Sequence, residues 1–352
     1  MKIVLAGGGT AGHVTPNLAL IPALKDAGFD EIHYIGTKAI EKELAEKEGI
    51  PFHEIEAGKL RRYIDIENIK DIARIFKGTH KSKKILKELK PDVVFSKGGF
   101  VSCPVVWAAK QLGIPVVLHE SDFTPGLANK LCMPFADRVC CAFPETIQHF
   151  PKNKAICTGI PIRPAFFNGD KEKGLSFCGF DGNKPMLTVI GGSQGSQFLN
   201  DIITNSLDTL LKTFDICHIR GKGNLNHELL NISGYAQFEY INEELPDIMK
   251  ATDIFVSRSG ATTIFEFLSL KKPALLIPLT RGSRGDQILN AKSFEKQGFA
   301  KHLPEENLTE QSFTSAVTEV YANKDIYTKN AEKADTSLST AKIISTIKSV
   351  IK

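Results

Sequence analysis

Hydrophobic positions along the first half of the chain come in short runs separated by stretches of helical period. The runs Ile3–Ala6, Ile32–Ile35, Phe52–Ile55, Val93–Phe95, Val116–His119, Arg138–Cys141 and Ala155–Thr158 read as strands. Asn17–Ala27, Ile40–Lys47, Val105–Leu112 and Gly126–Met133 read as helices between them. Such alternation predicts βαβ units and a parallel sheet with helices on both faces. The pattern then restarts. Gly159–Phe167 carries two prolines, a polar stretch follows, and the linker falls near Pro161. Strands are predicted at Met186–Ile190, Ile216–Ile219, Gln237–Ile241, Ile254–Ser257 and Ala274–Pro278. Helices are predicted at Phe198–Leu211, Leu245–Ala251, Thr262–Leu270 and Gln287–Gln297, and Thr309–Lys352 reads as helices only. The expected class is α/β, with two Rossmann-like domains, 1–161 and 162–336, whose parallel sheets face a central cleft.

Four strands run into glycines. In "VLAGGGTAGHVTPNLAL", Gly7, Gly9 and Gly12 fit GxGxxG between a strand and a helix. A dinucleotide site also needs an acid at the end of the second strand. Here that strand ends in Gly36-Thr37, which weakens this reading. The loop should still offer free backbone amides to an anion. "LTVIGGSQGSQFLN" places Gly191, Gly192 and Gly195 around Ser193 and Gln194, and "VFSKGGFVSCP" and "VSRSGATTIFE" repeat the arrangement. Four such loops at strand carboxyl ends converge on the crevice where open α/β sheets bind ligands. In the last of them a helix starts near Ala261–Thr262, and its first-turn amides and hydroxyls suit a pyrophosphate. Glu266 lies one turn further, among Ile264, Phe265, Phe267 and Leu268. A carboxylate there either serves the helix dipole or accepts two hydrogen bonds from vicinal hydroxyls such as a ribose presents.

Length and charge narrow the picture. A chain of 352 residues exceeds what one core usually supports. Its longest apolar runs, such as Pro273–Leu279, fall far short of the ~18–20 residues of a membrane span. The N-terminus reads as a strand and not a signal peptide. Seven cysteines without CxxC or metal-type spacing suggest reduced, buried thiols in a cytosolic protein. A net charge of +4 is too small to suggest a nucleic-acid binder, but it is uneven. Lys59–Lys90 holds eleven Lys/Arg against four Asp/Glu, interleaved with Leu60, Tyr63, Ile64, Ile66, Ile69, Ile72, Ile75 and Phe76. This stretch is either a solvated helix with one face on the core or a basic amphipathic surface for an anionic membrane.

Taken together, "GGGTAGHVTP", "LHESDFTPGLANK", "GGSQGSQFLN", "RSGATTIFE" and "SRGDQILNA" resemble the MurG family in order and spacing, from residue 7 to about residue 300. The resemblance implies a GT-B glycosyltransferase that adds N-acetylglucosamine from UDP-N-acetylglucosamine to lipid I, giving lipid II in peptidoglycan synthesis. It implies an inverting reaction, with the muramoyl 4-hydroxyl attacking the anomeric carbon as UDP leaves. It places the donor mainly on the C-terminal domain and has the last helix, 337–352, cross back to the N-terminal domain. Thr10, Ala11, Gly12 and His13 would line the cleft. Arg163 would contact the donor phosphate or lie near it, Ser193 would contact the donor, and Ile241 would pack near the uracil. Ala261 and Thr262 would border the pyrophosphate, Glu266 would hold the ribose hydroxyls, and Gln287 the sugar. His13 is the candidate base, an imidazole with an ordinary pKa of ~6.5 suiting neutral pH; Asp122 is the runner-up, with Glu120 beside it. No Asp-x-Asp motif occurs and no cofactor or metal is implied, so a helix N-terminus takes the metal's part.

The family loop is often Thr-Gly-Gly-His, and here Ala11 stands at its middle glycine. Asp122 stands where many members carry Asn, and Ser96 and Phe100 where Gly and Tyr are frequent. The implied setting is the cytoplasmic face of the bacterial cell membrane, held peripherally on its anionic surface, with other cell-wall synthesis proteins as partners in cell division and cell shape. Rival readings are a UDP-N-acetylglucosamine 2-epimerase, another lipid glycosyltransferase, and a nucleotide-sugar sensor without enzymatic activity.

Overall fold

The apolar runs assemble into two parallel sheets. β1 (Lys2–Ala6), β2 (Glu31–Gly36), β3 (Phe52–Glu54), β4 (Val93–Ser96), β5 (Val116–Glu120), β6 (Arg138–Cys141) and β7 (Ala155–Cys157) form one, in the order β3-β2-β1-β4-β5-β6-β7. β8 (Met186–Ile190), β9 (Asp215–Ile219), β10 (Tyr235–Phe238), β11 (Ile254–Ser257), β12 (Ala274–Leu276) and β13 (Lys301–His302) form the other, in the order β10-β9-β8-β11-β12-β13. The computed structural model describes residues 1–58, 66–192, 194–280 and 284–351, without the side chains of Ala11, residues 66–70, Ile72 and Asn307. Ser193 and, in the basic stretch, Leu60, Arg61, Arg62, Tyr63 and Ile64 lie outside this description.

The chain divides into two units, Met1–Arg163 with Ser337–Lys352, and Pro164–Thr336. In the first, side-chain alternation sends Val4, Ala6 and Val94 to one face of the sheet, and Ile3, Leu5, Val93 and Phe95 to the other. Of its helices, α1 (Ala11–Ala19), α2 (Ile21–Asp26) and α3 (Ile40–Lys47) cover the second face, and α4 (Ile66–Leu89), α5 (Ser102–Gln111) and α6 (Leu127–Cys132) the first. The second unit holds α7 (Lys171–Cys178), α8 (Gln197–Leu210), α9 (Leu245–Ala251), α10 (Ala261–Ser269), α11 (Asp286–Lys296), α12 (Glu310–Ala322) and α13 (Lys324–Lys333). α8 and α12 pack on one face of its sheet and α7 and α9 on the other. α14 (Ser339–Lys348) belongs to the first unit, where Ile343 and Ile347 are buried beside Leu20, Leu24 and Cys140.

Several elements depart from expectation. The first helix starts at Ala11, six residues before Asn17, and Leu20 separates it from α2. Pro16 sits inside α1 at its sixth position, beyond the first turn, so it withholds one helical N–H donor. The polar stretch after the linker forms α7, capped by the Asp170 carboxylate, which accepts from the Glu172 and Lys173 amides. The strand expected at Gln237–Ile241 ends at Phe238, which leaves Ile241 in the following loop. β13, only two residues long, has too short an apolar signature to be read. All seven cysteines are free thiols, five of them buried. Among the described residues no helix is long and apolar enough to cross a membrane.

Candidate active site

In each sheet the strand order reverses beside its first strand, and such switch points are where α/β sheets bind ligands. In the second unit the reversal lies between β8 and β11. β8 leads into the Gly191–Gly195 loop and α8; β11 leads through Arg258, Ser259 and Gly260 into α10. Gly195 has φ +77°, and a β-carbon on it would collide with the Arg220 carbonyl at the end of β9, so glycine alone fits. A cavity of about 330 Å³ opens here. Ser196 and Phe198 from the start of α8, Gly260 and Thr263 from α10, and Gln287 from α11 line it, so three helix N-termini border one space. Amides and dipoles at such termini favour an anion.

Arg258 forms part of this wall, yet its side chain is turned inward and 8% exposed. It donates from Nε and Nη2 to Ser196 Oγ at 3.1 and 2.8 Å. From Nη1 it donates to the carbonyls of Ile277 (3.1 Å) and Pro278 (3.3 Å) and to Glu305 Oε2 (2.9 Å), and from Nη2 to Glu305 Oε1 (3.4 Å). Its guanidinium also lies 5.6 Å from the centre of the Phe198 ring. The arginine thus ties the glycine loop, the end of β12 and the 3-10 turn Glu305–Asn307 together.

Among the expected residues, Gln287 lines the cavity, and its Oε1 accepts from the Leu279 amide at 2.9 Å. Ala261 is buried as the first residue of α10, and Thr262 follows half-buried. Glu266 is 8% exposed, three residues beyond cavity-lining Thr263 and on the same helix face. Ile241 is buried at 3%. Ala261, Thr262, Glu266 and Ile241 stand outside the cavity's lining.

The first unit's switch point lies between β1 and β4, and two glycine loops meet there. Gly99 has φ +83°, and a β-carbon on it would run into the Gly8 carbonyl. The loop after β1 is held from beneath: Asn17 Nδ2 donates to the Ala6 carbonyl (3.1 Å) and the Tyr34 hydroxyl to the Gly7 carbonyl (2.8 Å). The expectation of free amides fails at Gly9. The fully buried carboxylate of Glu41 accepts from the Gly9 amide (3.3 Å), the Thr37 amide (3.0 Å) and the Thr37 hydroxyl. Any β-carbon at Gly8 would strike this carboxylate. Thr10 is the exposed N-cap of α1, Ala11 opens the helix, Gly12 is exposed and His13 is half-buried, its amide donating to the Thr10 carbonyl at 3.1 Å. Arg163, half-buried, ends the long segment of this unit.

Beside these loops lies a polar cluster that the sequence reading largely missed. Lys97, 1% exposed at the end of β4, donates from Nζ to His119 Nδ1 (2.8 Å) and to Ser121 Oγ. His119 Nε2 donates to the Gly159 carbonyl at 2.8 Å, which leaves Nδ1 unprotonated and the ring neutral. Burial, reinforced by the Lys97 charge, holds its pKa well below 6.5. Burial also lowers Lys97 to about 8, although Glu120 and Asp122 oppose the shift. Glu120 accepts from the amides of Asp122 (3.1 Å) and Gly126 (2.9 Å) and from Asn129 Nδ2 (2.8 Å). Burial first, then Asp122, raises its pKa. Asp122 itself is half-buried on the loop after β5. The available signal was a lysine directly following the apolar strand "VVFS".

Residues 3–141 match the glycosyltransferase family 28 N-terminal domain and residues 186–347 its C-terminal domain. A Clostridium botulinum UDP-N-acetylglucosamine--N-acetylmuramyl-(pentapeptide) pyrophosphoryl-undecaprenol N-acetylglucosamine transferase is 54% identical over 335 residues, covering 95% of this chain and 94% of the relative. Its namesake from Clostridium novyi is 52% identical over 349 residues, covering 98% of each. The crystal structure of Acinetobacter baumannii MurG superposes with a TM-score of 0.76 at 24% identity, over 99% of both chains, which shows the shared GT-B fold. The chain belongs to this family of N-acetylglucosamine transferases.

Proposed function

We propose, from that family membership, that the chain transfers N-acetylglucosamine from UDP-N-acetylglucosamine to lipid I, the undecaprenyl-pyrophosphoryl N-acetylmuramoyl-pentapeptide. The carrying observation is the match of 54% identity across 95% of the chain. The anion-favouring cavity at the second switch point supports placing the donor pyrophosphate there. In this reading the muramoyl 4-hydroxyl displaces UDP with inversion, and His13 accepts its proton. Asp122 is the alternative base. Glu266 holds the ribose, Gln287 the sugar, Ile241 packs by the uracil, and Arg163, Ser193, Ala261 and Thr262 attend the phosphates. Thr10, Ala11 and Gly12 shape the loop on the acceptor side.

The deciding assay supplies the purified chain with UDP-N-acetylglucosamine and a lipid I analogue. Release of UDP matched by new disaccharide is expected. Turnover of the donor without an acceptor, as a 2-epimerase would give, or no disaccharide with both substrates saturating, removes the proposal.

The acceptor is lipid-anchored, so we place the enzyme peripherally on an anionic bilayer, at its cytoplasmic face. α4 supports this: Phe76 is 72% exposed, with Arg74, Lys77, Lys81, Lys84 and Lys87 exposed along the same helix. Lys83 is spent on Gln111 Oε1 at 2.9 Å. Changing Lys77, Lys81, Lys84 and Lys87 to Gln should weaken binding to anionic vesicles severalfold while sparing turnover of a soluble acceptor. Equal sedimentation of wild type and variant with the vesicles would exclude this face.

A further inference from the structure

We propose that Arg258 and Glu305 clamp Ser196 so that its hydroxyl donates to a phosphate oxygen of the nucleotide in the second unit's cavity. The inference rests on the donor-site reading above and names a binding residue that the sequence did not single out. An arginine side chain has five N–H donors. Those of Arg258 go to Ser196 Oγ from Nε and Nη2, to Glu305 from both Nη atoms, and to the Ile277 and Pro278 carbonyls from Nη1. None is left for a ligand, although the residue borders the cavity. Glu305 also balances the buried charge at 2.9 Å. Arg258 is therefore a positioning residue and not a phosphate contact.

The consequence falls on Ser196. Its oxygen accepts from Arg258 Nε (3.1 Å) and Nη2 (2.8 Å) and, as the cap of α8, from the Leu199 amide (3.4 Å). With its acceptor capacity taken by these N–H groups, the hydroxyl has its proton left to give. No acceptor for that proton stands among the described residues, and Ser196 lines the cavity. A hydroxyl so held, beside the amides of three helix N-termini, suits an acceptor-only oxyanion. A diphosphate supplies one; the uracil and ribose offer a neutral carbonyl and hydroxyls instead.

Titration calorimetry on the full chain with UDP and with uridine tests this. Ser196→Ala should weaken UDP about 10- to 100-fold, the worth of one hydrogen bond to a charged group, and leave uridine unchanged. Ser196→Thr, which keeps the hydroxyl, should restore most of the UDP affinity. Arg258→Lys should weaken UDP similarly and add little when combined with Ser196→Ala. Wild-type UDP affinity in Ser196→Ala, or a parallel fall for uridine, overturns the inference. So does a further tenfold loss from Arg258→Lys in the Ser196→Ala background, which would make Arg258 a direct contact. Failure of the wild type to bind UDP at all would instead remove the donor-site reading, and this inference with it.

Discussion

The two switch points share strand order and glycine loops, but different buried charged groups bond the loop after the first strand. In the second unit a buried arginine, Arg258, reaches the loop through Ser196 and leaves its helix termini facing a cavity. In the first, a buried carboxylate, Glu41, takes the Gly9 amide for itself. An amide already bonded to a carboxylate is a poor partner for a phosphate, since a second anion must displace or repel the first. Topology thus fixes where the loops meet, while side chains from neighbouring elements decide which loop amides are already bonded. The second site has three helix N-termini around a cavity, an arrangement that favours an anion. The first is a loop held by Asn17, Tyr34 and Glu41, with its Gly9 amide already bonded.

The largest separation between the two should come from His13. As the base it should lower kcat by ~10²–10⁴ when changed to Ala, with donor Kd little altered. The acidic limb of the pH–rate profile should vanish with it. An active His13→Asn enzyme that keeps the limb would transfer the role to Asp122. The mirror experiment uses Glu266. Its replacement by Ala should raise donor KM by the equivalent of about 2–4 kcal/mol, two lost bonds to a charged acceptor, while kcat at saturation holds. Unchanged donor kinetics in a folded variant would leave Glu266 as a charge at a helix end.

The sequence made one switch point more legible than the other. Strand-helix alternation and four glycine loops disclosed both sheets and the loops at their switch points, because turn glycines and apolar runs are local signals. "RSGATTIFE" displayed Glu266 as an acid among apolar residues. Glu41 was hidden because "IEKELAEK" reads as an ordinary charged helix, with three acids and two bases among its eight residues. Its burial depends on β2 delivering Gly36-Thr37 against the loop after β1, a pairing visible only in three dimensions. Arg258 and Glu305 are 47 residues apart, and nothing in either segment announces the other.

Glu41 offers a smaller but sharper test of the contrast. Glu41→Ala removes three hydrogen bonds to the glycine loop and its neighbour, and should cost about 1–3 kcal/mol of stability. It should lower kcat with donor KM intact. Glu41→Gln retains an oxygen acceptor for Gly9 and should recover most activity, measured beside thermal unfolding. If Glu41→Gln were as inactive as Glu41→Ala, the negative charge itself, and not the loop's support, would be what the first site needs.

The smallest expected effect concerns Lys97, the buried cation of the first unit. Burial takes its pKa from the ordinary 10.5 to about 8. Between those values the unfolded chain holds a proton that the folded chain has released, so stability from this group rises with pH across the window. Below about pH 8 both states are protonated and the burial cost is felt in full. The groups facing Lys97 are His119, Glu120, Asp122 and Cys140. The neutral His119 and Cys140, pushed up to about 12, leave the window clear from those two sides. Denaturant unfolding at pH 7.5 and pH 9 should therefore show wild type gaining about 1 kcal/mol relative to Lys97→Met. A constant difference across that range would mean that Lys97 keeps its proton. Its charge would then offset Glu120 and Asp122 throughout, making these carboxylates more fully matched than the lowered pKa implies.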